Sequence, residues 1–126
     1  MKLTNEQIRA KYPAAAGRMI GERRVLRKLL EAIRGSGYWF RINNGEDFET
    51  IHTQQVEWGI DACMTTDEDH VVVYRVRPDD NTFQRIGKFW LVYGNSPEEV
   101  IADYSVSSTS LESMFSRWFD EATIDN

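Results

Sequence analysis

The chain is short of the residues that would tie it to a named chemistry. Among its 126 residues there is one cysteine, Cys63, and there are only three prolines. A lone thiol excludes an internal disulfide framework and suits a reducing compartment. The two histidines, His52 and His70, have no Cys pair and no His-x-x-x-His spacing beside them. A metal site would therefore need His52, Asp61, Cys63, Asp67 and His70 to converge from separate elements, whereas zinc sites draw on closely spaced ligands. No window approaches the roughly 18 apolar residues of a membrane span, and Met1 to Glu6 lacks the apolar stretch of a signal peptide. Gly35, Ser36 and Gly37 are too few for a phosphate-cradling loop and lead into a strand rather than a helix. No repeat or low-complexity run divides the chain. A single cytoplasmic domain over 1–126 is expected, with 1–17 as an extension of looser packing. No cofactor, metal ion or membrane is implied.

What is present is enough apolar surface for a core, at 41% of residues with 12% aromatic, since disordered chains are poorer in both. Charge is unevenly placed. The first 34 residues hold nine Lys or Arg against three Glu, a balance of +6; the rest hold six against seventeen, a balance of −11, which together give the net −5. Such asymmetry bears on partners rather than on fold.

Thr4 and Gln7 form a capping box for a helix over 5–11, which must stop before Pro13. Over 18–34, Met19, Val25, Leu26, Leu29, Leu30 and Ile33 share one helical arc, with Arg23, Arg24, Arg27, Lys28 and Arg34 opposite. Glu22 falls within the apolar arc, where the stripe leaves the core. A strand is predicted over 38–42, followed by an Asn44–Gly45 turn. Val56, Ile60, Cys63 and Met64 share a face of a helix drawn over 50–65. Strands follow over 70–76 and 84–93, joined by a hairpin loop at 77–81, and the segment Phe89 to Tyr93 reads as buried on both faces. Ser96, Pro97 and Glu99 carry helix-start chemistry before an edge strand over 100–105. Leu111, Met114, Phe115, Trp118, Phe119 and Ala122 make a final amphipathic helix, capped by Ser108 or Thr109, with Thr123 to Asn126 fraying. The order α-α-β-α-β-β-β-α predicts an α+β fold: an antiparallel sheet of three to four strands packed by the basic N-terminal helix, a middle helix and the C-terminal amphipathic helix.

Catalysis finds little footing. Cys63 would need an imidazole as activating base; His52 lies about three helical turns away, and Cys63 sits on the apolar stripe. Asp61, Glu57 and Asp103 could serve as acid–base carboxylates, yet no motif surrounds them. Two charge clusters remain. The acidic set, Asp67, Glu68, Asp69, Asp79, Asp80, Glu98 and Glu99, falls at turns, is expected to be exposed, and could imitate a row of phosphates in a partner's basic groove. The alternative set is Arg23, Arg24, Arg27, Lys28 and Arg34 on the basic helix, which could track nucleic-acid phosphates.

The run from Asp67 through Tyr74 (DEDHVVVY), the Val92, Tyr93, Gly94, Asn95 turn and the Val100, Ile101, Ala102, Asp103, Tyr104 segment resemble small accessory proteins of unknown function encoded by phages, prophages and plasmids. The resemblance covers roughly residues 60–110. It implies a mobile-element setting, in which small acidic proteins often inhibit host defence by binding one of its protein components. The expectation is a noncatalytic inhibitor of a nucleic-acid-processing defence complex, of anti-CRISPR or anti-restriction type, acting on a host protein or nucleoprotein through the acidic turns. The alternatives are a nucleic-acid-binding or regulatory module using the basic helix, and a homodimer in which that helix docks on the partner's acidic sheet.

Overall fold

The computed structural model describes residues 1–44 and 51–124. Among them are four α-helices, α1 (Asn5–Lys11), α2 (Ala16–Gly35), α3 (Val56–Ala62) and α4 (Glu112–Thr123), and four strands, β1 (Trp39–Asn43), β2 (Glu68–Val76), β3 (Phe83–Val92) and β4 (Ile101–Val106). The strands form one antiparallel sheet in the order β1-β2-β3-β4. The fold is α+β, as the hydrophobic periodicities require. No described helix is long and apolar enough to cross a membrane.

The helices lie on the side of the sheet that supplies the core. Phe40 and Ile42 of β1, Val71 and Val73 of β2, and Phe89 and Leu91 of β3 are fully buried. Against them pack Leu26, Leu29, Leu30 and Ile33 of α2 and Phe115 and Trp118 of α4. Phe89 and Phe115 stack at 5.2 Å with rings 1° from parallel, and Trp118 lies edge-on to Tyr38 at 5.8 Å. Within residues 1–17, Ile8 is fully buried, and the Arg23 guanidinium donates to the Leu3 carbonyl at 2.5 Å. The Thr4–Gln7 capping box is formed in both directions.

Several features differ from the sequence reading. The helix expected over 50–65 is confined to Val56–Ala62, because Thr53 is extended and exchanges both backbone hydrogen bonds with Phe40 at the sheet edge. Ser96 makes no side-chain cap and heads only a 3-10 turn, Pro97–Glu99. Neither Ser108 nor Thr109 caps α4, whose N-cap is Leu111 after a second 3-10 turn. In the segment Phe89 to Tyr93, Phe89 and Leu91 are buried but Trp90 is 40% exposed, since only one face of the sheet is covered by helices. The Gly45 half of the Asn44–Gly45 turn and the final two residues of the tail expected to fray lie outside the described residues.

Candidate functional site

The acidic set divides. Antiparallel pairing of β2 with β3 aligns Glu68 with Val92 and Val76 with Phe83. Asp67 and Glu68 therefore share one end of the sheet with the β3–β4 connection that carries Glu98 and Glu99. Two backbone bonds stitch that end together, from Tyr93 to the Asp67 carbonyl at 3.0 Å and from Val92 to the Val100 carbonyl at 2.8 Å. Asp79 and Asp80 lie at the opposite end, roughly 25 Å away at about 3.3 Å per strand residue. There Asp80 Oδ1 accepts from the Thr82 hydroxyl and amide at 2.7 and 3.1 Å, and Arg77 lies 3.7 Å from Asp79. These bonds hold the Asp80 carboxyl below its ordinary value and serve the turn itself.

Asp69 leaves the set altogether. It was expected at an exposed turn, but it is the second residue of β2, points to the helix side and is fully buried. Its Oδ2 accepts from the Met64 amide at 2.9 Å and the Tyr93 hydroxyl at 2.7 Å. Burial raises the Asp69 carboxyl above its ordinary value. Asp67, Glu98 and Glu99 remain exposed, and no ion pair engages them among the described residues. Glu68 is half-buried and accepts from the Trp90 indole at 3.3 Å.

The basic helix is partly committed within the molecule. Arg23 is held by Leu3, Arg27 forms an ion pair with Glu57, and Lys28 donates to the Ile124 carbonyl at 3.2 Å. Arg24 and Arg34 are exposed. Arg24 and Glu98 border the same groove of about 200 Å³ between α2 and Pro97, so the two candidate sets meet there.

The residues of the catalytic and metal readings are spread over the described fold. Cys63 is fully buried, and its thiol is pushed well up, first by burial and then by Asp69 beside it. His70 is on the far face of the sheet, and His52 stacks on Phe83 at 4.0 Å. Among the described residues no three His, Cys, Asp or Glu side chains converge as metal ligands. Glu57 is paired with Arg27, and Asp61 and Asp103 lie on different layers of the fold.

Glu22, read as an edge residue, is instead fully buried. Its Oε1 accepts from Arg18 at 2.5 Å and its Oε2 from the Gly94 amide at 2.9 Å. It thereby ties α2 to the turn after β3, where Gly94 takes φ +104°, a conformation that disfavours other residues. Burial raises the Glu22 carboxyl above its ordinary value, against the lowering effects of Gly94 and Arg18. A carboxyl raised on folding contributes stability below its unfolded value and loses it as pH rises through the folded one. Glu22→Gln keeps an acceptor for Gly94 and removes the buried charge. Its melting temperature relative to the unsubstituted protein should thus climb between pH 4 and pH 8 in parallel thermal melts; a constant difference would deny Glu22 this role.

No family model, no curated protein and no solved structure matches the chain.

Proposed function

We propose that this is a noncatalytic binding protein of a mobile element that acts in the host cytoplasm on a nucleic-acid-processing defence complex and inhibits it, in the manner of anti-CRISPR or anti-restriction proteins. The observation that carries this reading is the acidic end of the sheet: Asp67, Glu98 and Glu99 are exposed, lie on two connections at the same end of the sheet and are engaged by no ion pair among the described residues. Unengaged carboxylates on a rigid sheet end suit a basic groove, where charge complementarity sets the rate of encounter and rejects wrong partners. Glu68 is a flanking contact. Asp69, Asp79 and Asp80 take no part, because their carboxylates already serve the fold.

The test is capture of partners from host lysate by tagged protein, with nuclease treatment in parallel. The expected result is a nucleic-acid-processing protein retained after nuclease treatment. Recovery that vanishes with nuclease would replace direct protein contact with tethering through nucleic acid.

A further inference from the structure

The second face of the sheet carries a different surface. All four helices pack on the side of Phe40, Val71 and Phe89, and no described helix covers the other side. An exposed sheet face is ordinarily polar. Here it is aromatic. Trp39, Tyr74 and Phe83 come from three successive strands and gather around His52: Trp39 meets Phe83 edge-on at 5.3 Å, and His52 meets Tyr74 edge-on at 4.3 Å. Trp90 forms a second focus beside His70, its cross-strand partner. Phe83 and Trp90 are 38% and 40% exposed. The two foci are four residues apart along β2, roughly 13 Å at about 3.3 Å per residue.

Between them run cations. Arg85 pairs with Tyr74 across the strands and Lys88 with Val72, so both project from this face. Among the described residues its acidic side chains are Glu68, already bonded to the Trp90 indole, and Asp103 opposite Trp90. Lys88, Trp90, His70 and Asp103 line a hollow of about 240 Å³. On a chain of net charge −5, two of the six Lys or Arg of residues 35–126, Arg85 and Lys88, thus share this face with exposed rings.

We propose that this face binds single-stranded nucleic acid, with Trp90 and the Phe83 cluster as stacking surfaces and Arg85 and Lys88 as phosphate partners. Stacking on rings spaced along a cationic track is how single strands are held without regard to sequence. A duplex keeps its bases stacked inward and offers these rings nothing to stack on. The proposal concerns a surface separate from the acidic end and stands or falls apart from it.

The experiment is fluorescence anisotropy with labelled mixed-sequence 12-nucleotide RNA and DNA, single-stranded and as duplexes, at several salt concentrations. Single strands should bind with Kd of roughly 1–100 μM and duplexes more weakly. Trp90→Ala and Phe83→Ala should each weaken binding on the order of tenfold, with melting temperatures showing that each variant is folded. Arg85 is exposed and Lys88 half-buried, and neither belongs to the core, so Arg85→Gln and Lys88→Gln leave it intact. Each should lower the slope of log affinity against log salt by about 0.7. Reversal of Asp67, Glu98 and Glu99 should leave single-strand binding at or above its original strength. Absence of single-strand binding, equal affinity for duplexes, or folded ring variants that bind as tightly as the original would each overturn the proposal.

Discussion

Replacing Trp118 by alanine should cost about 3–5 kcal/mol of folding free energy, enough to lower the melting temperature by roughly 10–15 °C. Trp118 is 1% exposed and is the largest side chain in the core. It touches rings from three elements: Tyr38 before β1, Phe89 of β3 at 6.4 Å, and Phe115 one turn back on α4 at 5.0 Å. Its indole N–H donates to the Ser36 hydroxyl at 3.3 Å, closing the junction between α4 and the end of α2. The walls of the resulting void belong to a sheet and two helices fixed by other contacts, so collapse can fill little of it. Denaturant titration is the direct measurement. A loss under about 1 kcal/mol would mean that α4 is not anchored by this residue.

Gly87→Ala should be comparably damaging for the opposite reason. A Cβ at Gly87 would stand 2.4 Å from the backbone carbonyl of Ser105 on β4 and 2.7 Å from the Phe115 ring. A ring can turn aside, but the carbonyl is fixed by strand pairing, so β3 and β4 must separate or the bulge between Val73 and Tyr74 must shift. Overpacking of this kind costs about 1–3 kcal/mol and occasionally more; with backbone as the obstacle, the upper end is expected. Gly17→Ala is the matched control. Nothing lies within 4 Å of its Cβ position, and it sits in the first turn of α2, so alanine there should be neutral or stabilising by up to about 1 kcal/mol. Equal melting temperatures for the two variants would contradict the close approach of β3 to β4.

Much of this fold can be read from local pattern. The 3.6-residue period of Leu26, Leu29, Leu30 and Ile33, and of Phe115, Trp118 and Ala122, marks α2 and α4 and their buried faces. Alternation marks β2. Even the division of the acidic set was within reach, because antiparallel strands joined by a hairpin at 77–81 must place that hairpin opposite residues 67–69. What local pattern cannot supply is a partner distant in sequence. Glu22 is buried because the Gly94 amide, 72 residues on, needs an acceptor. Asp69 is buried because Tyr93 returns to it. Thr53 is extended because Phe40 offers an open strand edge. Trp90 and Phe83 become surface rings only once every helix has packed on the other face, a choice made by the whole core rather than by β3.

The central claim is that the exposed carboxylates at one end of the sheet engage a basic partner. The measurement that tests it most directly is the affinity of the captured complex for three proteins across a salt series. These are the original, a triple reversal (Asp67→Lys, Glu98→Lys, Glu99→Lys), and a far-end control (Asp79→Lys, Asp80→Asn) that preserves an acceptor for Thr82. Like charges brought together at an interface cost several kcal/mol, so the triple reversal should weaken binding on the order of 100-fold. The control should bind as the original does, and the original should weaken as salt is added. Binding that survives the triple reversal, or that ignores salt, would contradict the account.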